Sequence, residues 1–232
     1  MQQRLHGLIC HPDVTRFEIE DALVRQAASE LVSKETSILE IDIDLGLFRL
    51  EQSSGDPLGN INSLFLVTAD DSTDADAEPL AELIAEAAVV STSWPVEVEN
   101  ISELEKAWIG TATPGPKITV AFDSSAADSS SYRDNIVQTV RSVVAKLDDV
   151  GARSMFLDTD QDAPFSTAVS FWFPTPSAAQ DALEGDALKP LTEAGNISSE
   201  SLGIYQGTEH RVFPNPNIWS TTTGLKAPDE SD

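Results

Sequence analysis

The sequence predicts an α+β protein made of two β-α-β-β-α-β units in tandem, each a four-stranded antiparallel sheet with two helices on one face. Three observations carry this. Residues 39–48 alternate apolar and polar with a period of two. Apolar residues behind Thr15, Pro79, Ser131 and Pro176 recur at helical spacing. The same order of strand and helix signals runs twice along 232 residues, although the halves share few letters.

Leu5, Gly7, Leu8, Ile9 and Cys10 form a short apolar strand that Pro12 and Asp13 end. Thr15 and Glu18 have the spacing of a capping box, and Ile19, Ala22, Leu23, Ala27 and Leu31 behind them predict a helix of about five turns. Leu39, Ile41, Ile43, Leu45 and Leu47 then alternate with Glu40, Asp42, Asp44, Gly46 and Phe48, which makes a strand with one apolar and one acidic face. Gly55 to Gly59 is a turn, and Ser63 to Thr68 the next strand. An acidic loop, Asp70 to Glu78, leads into a helix opened by Pro79 and striped by Leu80, Leu83, Ile84, Ala87 and Ala88. Trp94 to Val98 is the fourth strand. Residues 101–108 have the character of a short helix or a loop, and Thr111 to Pro116 that of a linker.

The second half repeats the order. Ile118 to Phe122 is a strand, and Ser124 to Ser131 a polar loop. Ile136, Val137, Val140, Val143, Val144 and Leu147 stripe a helix that Gly151 closes. Met155 to Leu157 and Ala168 to Phe173 are strands around a turn at Asp158 to Pro164. Ser177 and Gln180 have capping-box spacing after Pro176, and Leu183, Leu188 and Leu191 follow as far as Gly195 and Asn196. Ser201 to Phe213 holds the last strand. The tail from Pro214, with Trp219, is polar and expected to fray. The expected domains are 1–110, a linker at 111–116, 117–213, and the tail 214–232.

Composition limits the function. With 39 acidic and 14 basic residues the net charge is −25, which repels phosphate backbones and anionic membranes. Nucleic-acid binding is not expected, and no apolar stretch reaches the roughly 20 residues of a membrane helix. The acidity is that of a solvated surface or of a protein adapted to high salt; only six lysines are present. The single cysteine, Cys10, permits neither an intrachain disulfide nor a cysteine metal site. The first ten residues lack the form of a secretory signal, so a cytoplasmic protein is expected.

At this point a resemblance enters. His6-Gly7-Leu8-Ile9, followed by Pro12-Asp13-Val14-Thr15 and an acidic amphipathic helix, resembles the start of a dimeric α/β-barrel protein. Ala168 to Phe173, followed by Pro176-Ser177-Ala178-Ala179, resembles the third strand and second helix of that superfamily. Gly207-Thr208-Glu209-His210-Arg211-Val212 is similar to the last strand of its EthD-like members, and stress-response barrel proteins share the pattern. The resemblance spans about residues 3 to 213 and implies two ferredoxin-like units whose sheets close into one barrel, here within a single chain. It also implies a cyclase, monooxygenase or dehydratase-like enzyme of secondary metabolism that uses no cofactor and acts on an aromatic or polyketide-like molecule, as a monomer or homodimer. Haem occurs in one branch, whose basic, histidine-containing segment has no counterpart here.

The acidic face of residues 40–48 meets water in an open sheet, or lines a cavity in a closed barrel, where desolvation would raise carboxylate pKa values. The candidate catalytic residues are His6, a proton carrier on the first strand, Asp42 and Asp44, and Tyr205 in the last strand. Phe48, Ser170 and Trp172 are the candidate substrate-binding residues. The three histidines have no metal-ligand spacing, and no nucleophile elbow, Walker A or Rossmann glycine pattern occurs. The rival readings are a non-catalytic small-molecule-binding or stress-related protein, and an assembly subunit using the sheet face as an interface.

Overall fold

A computed structural model describes residues 2–27, 30, 38–51, 55–70, 77–102, 115–123, 129–157, 163–185, 187–194 and 202–213. The expected linker core, the acidic loop after Asp70, the end of the first helix at Leu31, the Asp158 turn, Gly195-Asn196 and the tail lie outside these residues.

The first half contains β1 (Gln2–Cys10), α1 (Arg16–Glu20) continuing as a π-helical turn (Asp21–Ala27), β2 (Ile38–Arg49), β3 (Ser63–Ala69), α2 (Ala77–Ile84) and β4 (Ala88–Asn100). The second contains β5 (Lys117–Phe122), α3 (Ser130–Val144), β6 (Gly151–Leu157), β7 (Thr167–Trp172), α4 (Pro176–Glu184), α5 (Lys189–Ala194) and β8 (Leu202–Phe213). The eight strands close into one antiparallel barrel in the order β1-β3-β2-β8-β5-β7-β6-β4. Each half therefore keeps the ferredoxin-like order, β4-β1-β3-β2 and β8-β5-β7-β6. The seams between halves are β2 with β8 and β4 with β6.

Strand alternation divides the core into an outer and an inner part. Outside, Leu8, Ile41, Ile43, Leu45, Phe65 and Val67 pack with Leu23, Ala27, Leu80 and Ile84 of the first-half helical segments. Ile118, Val120, Phe122, Val169 and Phe171 likewise pack with Ile136, Val140, Ala179 and Leu191 of the second half. Inside, Leu5, Leu47, Leu64, Leu66, Trp94, Val96, Met155, Leu157 and Tyr205 form a third apolar cluster.

The alternation of β2 does not run unbroken as the sequence suggests. Gly46 adopts φ +62, a conformation glycine takes without steric cost, and the pairing with β8 shifts between Leu45 and Phe48. Leu47 is thereby turned into the barrel while Phe48 faces out. Two other boundaries move. Gly151 opens β6, so α3 ends instead at Ala145, and the chain returns through Asp149 at φ 54. The cap of α4 is Thr175, whose hydroxyl accepts from the Ala178 amide, because Pro176 takes the first helical position and moves the start ahead of Ser177.

The Thr15–Glu18 capping box forms as expected: the Glu18 amide donates to the Thr15 hydroxyl, and the Thr15 amide and hydroxyl both donate to the Glu18 carboxylate. Thr15→Ala should lower the stability of the chain by about 1 kcal/mol, about 2–4 °C in Tm for a protein of this size. A calorimetric scan reads this, and an unchanged Tm would show that the α1 cap does not limit unfolding.

Candidate functional site

The pairing registers place the starts of β1, β2, β5 and β6 and the ends of β3, β4, β7 and β8 at one end of the barrel. Seven of the inward residues at that end are charged. Glu40, Asp42 and Asp44 come from β2, Lys117 from β5, Arg153 from β6, and Glu209 and Arg211 from β8. Asp42, Asp44, Lys117, Arg153 and Glu209 are all buried, while Glu40 and Arg211 lie at the margin with side chains 30 % and 22 % exposed.

The pairs form a chain. Lys117 Nζ lies 2.5 Å from Asp44 Oδ2 and 2.5 Å from Glu209 Oε2. Arg153 Nη2 donates to Asp42 Oδ2 at 2.9 Å and lies 3.5 Å from Glu209 Oε1, and its Nε donates to Asn100 Oδ1. Arg211 donates from Nε to Asp42 Oδ1 at 2.9 Å and from Nη2 to Glu40 Oε1 at 2.6 Å. The Trp172 ring lies under both Lys117 Nζ, 4.9 Å from its centroid, and the Arg153 guanidinium, at 5.1 Å. Ser170 and Thr119 join hydroxyls at 3.0 Å farther into the barrel.

Electrostatics separates the carboxyls. Burial alone would raise Asp42, but Arg153 and Arg211 outweigh it and hold Asp42 below the usual range. Glu40 is raised to about 7, first by burial and then by the neighbouring Asp42 charge, against the pull of Arg211. Glu209 is raised by burial, which Arg153 and Lys117 offset only in part. Lys117 is raised despite its burial, because Asp44 and Glu209 flank it, so it stays an ammonium and is no nucleophile. Near pH 7 Glu40 is the carboxyl poised to exchange a proton. Asp44 Oδ1 and Trp172 Nε1 are buried without a hydrogen-bond partner.

Of the seven site residues expected from sequence, Asp42, Asp44 and Trp172 come together in this cluster, with Ser170 below them. The other three do not join it. His6 points the opposite way, to the helix-covered face, edge-on to Phe65. Phe48 is 53 % exposed outside the barrel, because the Gly46 bulge reverses the alternation. Tyr205 is inward but at the far end, where its hydroxyl donates to Asp56 Oδ1 at 2.8 Å and accepts from the Leu58 amide at 3.1 Å. Its ring lies against Gly203, where any Cβ would come within 2.5 Å of it. Tyr205 fastens residues 56–58 to the barrel. Sequence reasoning missed Lys117, Arg153, Glu209 and Arg211 as site residues, although each sits at an inward position of its strand.

Comparison with known proteins gives the fold. No family model matches the chain, and no curated protein matches it. Among solved structures, one assigned provisionally as a monooxygenase from Lactobacillus acidophilus NCFM superposes with a TM-score of 0.51 at 11 % identity, covering 90 % of this chain and 93 % of the other. One assigned provisionally as a chlorite dismutase gives 0.51 at 14 % identity, covering 91 % and 94 %. An anthrone oxidase-like protein gives 0.50 at 10 % identity, covering 91 % and 94 %. The chain therefore has the dimeric α/β-barrel fold, with both units in one polypeptide.

Two predictions follow from the charge geometry. Lys117→Met strands Asp44 and Glu209 without their shared cation and should cost about 3–5 kcal/mol, whereas Arg141→Ala, which breaks the half-exposed pair with Glu99, should cost under about 1 kcal/mol. Urea titration compares the two; equal losses would refute the cluster's structural weight. Glu40 titrates near 7 in the folded chain, against 4.5 for the free side chain. Between those values the folded state holds a proton that the unfolded state has released, so stability from this group is full below about pH 4.5 and falls as pH rises through 7. Glu40→Gln should thus match the parent at pH 5 and exceed it at pH 8 by about 2.5 kcal/mol. A constant difference across that range would contradict the raised pKa.

Proposed function

We propose that the charged end of the barrel is the active site of a proton-transfer enzyme acting on a flat, hydrophobic aromatic or polyketide-like molecule without a cofactor. The observation that carries this reading is Glu40: a half-buried carboxyl with a pKa near 7, bonded to Arg211, beside a fully ionised Asp42. As a carboxylate it accepts a proton from an acidic C–H of the substrate. The electron pair left on carbon delocalises onto the ring carbonyl oxygen, where Arg211 supplies positive charge. Glu40 then returns the proton to carbon or to oxygen. Asp42 keeps the proton affinity of Glu40 high, Asp44 and Glu209 fix Lys117, and Trp172 with Ser170 forms the wall on which an aromatic ring rests.

The name of the anthrone oxidase-like neighbour suggests the first substrate to try. Anthrone carries an acidic methylene flanked by two aromatic rings, so proton transfer can be read as deuterium uptake at that carbon in D2O, independently of any oxidation. The full chain should accelerate uptake, with a rate that rises through about pH 7. Glu40→Gln should lower it about 100-fold or more. Uptake no faster than in buffer, or a fully active Glu40→Gln variant, would refute the base.

A non-catalytic binding protein is the second reading, and mutual saturation favours it: Asp42 accepts from Arg153 and Arg211 together, leaving it few lone pairs for chemistry. Anthrone that raises Tm without accelerated deuterium uptake would select that reading. An absence of both effects, with a regular oligomer by mass measurement, would select the assembly subunit.

A further inference from the structure

Of the charged groups in the cluster only Glu40 and Arg211 reach solvent, and they are bonded to each other. A ligand therefore meets this pair from outside the barrel, with no buried space required. Arg211 is held twice over. Its Nη2 donates to Glu40 Oε1 at 2.6 Å and to Asp42 Oδ2 at 3.2 Å, and its Nε donates to Asp42 Oδ1 at 2.9 Å. When Glu40 is displaced, the two bonds to Asp42 still fix the guanidinium, in the bidentate form that suits arginine and carboxylate. The place of Glu40 on Nη2 is thus exchangeable, whereas the buried Asp42 stays.

Charge decides what takes that place. While Glu40 is ionised, the four carboxylates of the cluster outnumber its three cations, and a further anion adds to the excess. One proton on Glu40 brings the count to three against three. Burial and the Asp42 charge oppose the ionised form of Glu40, and Arg211 and Arg153 favour it, which leaves the carboxyl ready to take that proton near pH 7. Its partner across the ladder, Thr68 on β3, is uncharged.

We propose that the mouth of the barrel binds a small aromatic carboxylate together with one proton: the ligand takes the place of Glu40 on Arg211, and Glu40 takes the proton from solvent. One ligand oxygen accepts from Arg211 Nη2. The other accepts from the Glu40 O–H, a charge-assisted bond that exists only when Glu40 is protonated. An oxyanion on Arg211 beside a protonated Glu40 is also the charge state that proton abstraction from carbon produces in the reaction proposed above. Aromatic carboxylates therefore occupy the site as mimics of that intermediate and regulate it by competition. The inference rests on that reading for the place of the ligand, but its test involves no turnover.

Calorimetric titration of the whole chain with benzoate, in two buffers of different ionisation enthalpy, counts the protons taken up. With Glu40 titrating at about 7, uptake should be about 0.9 proton per benzoate at about pH 8 and about 0.1 at about pH 6, with affinity about tenfold weaker at the higher pH. Glu40→Gln keeps a neutral donor, so it should bind benzoate with no proton uptake and equal affinity at both pH values. Arg211→Met should weaken binding about tenfold or more, and Arg211→Lys less, because the cation is kept and only the planar fork is lost. Benzamide, the neutral counterpart, should bind more weakly and without proton uptake. The inference is overturned by an absence of benzoate binding, by proton uptake that persists in Glu40→Gln, by undiminished affinity in either folded Arg211 variant, or by benzamide matching benzoate at about pH 6. Accelerated deuterium uptake by anthrone without proton-linked benzoate binding removes this inference alone. Proton-linked binding without deuterium uptake removes the enzyme and leaves the ligand site.

Discussion

Closure of the barrel depends on an asymmetry of charge between the two halves. All three inward acids at its polar end that come from the first half, Glu40, Asp42 and Asp44, lie on β2. All three inward cations, Lys117, Arg153 and Arg211, come from the second half. Two sheets of the same topology can close a barrel with any copy of themselves. Two first halves would set β2 carboxylates against carboxylates, and two second halves would set their cations against only the two copies of Glu209. Desolvated charges without partners are among the costliest things a fold can bury. The charge pattern therefore favours pairing the two halves of the chain over pairing like with like, much as interfacial charges select partners elsewhere.

That asymmetry also sets the balance inside. With every group ionised, four carboxylates against three cations leave the cluster at −1, and burial, with the neighbouring carboxylates adding to it, raises the proton affinity of Glu40 and Glu209. Nearly all of the chain's −25 therefore lies outside the cluster, and that excess repels polyanions. The opposite end of the barrel is closed by apolar packing of Leu5, Leu47, Leu58, Leu64 and Trp94, with Tyr205 tied to Asp56. Polarity thus runs along the barrel axis, from an apolar seal to a charged end where Glu40 and Arg211 reach solvent.

Much of this was legible in the sequence, and the losses have a common cause. The period-two run of β2 identified a strand with an acidic face, and the doubled element order identified the two units; closure put Asp42 and Asp44 inside. Two of the three cations, Lys117 and Arg153, escape because apolar runs delimit the strands, whereas Arg211 lies inside the expected last strand, Ser201 to Phe213. The apolar runs open β5 at Ile118 and β6 at Met155, which leaves Lys117 and Arg153 outside the strands although both hold inward ladder positions. Apolar runs mark a strand only where both faces are apolar, and a polar interior removes that signal at its own end of the barrel. His6 was misplaced for another reason. In a strand with apolar residues on both faces, alternation cannot say which side is the barrel; only the pairing with Phe65, which packs under the helices, decides it.

The same logic separates Glu40 from Asp42 and Asp44 by the partners each carboxyl has. A carboxylate held by two guanidiniums, as Asp42 is, cannot accept a substrate proton without giving up both bonds. Asp44 shares an ammonium that is itself locked between two acids. Glu40 has one cationic hydrogen-bond partner, a like charge beside it and access to water, so its two protonation states differ little in free energy near pH 7. The buried ions around it fix its position and its proton affinity, and their rigidity is what makes that affinity a property of the folded barrel.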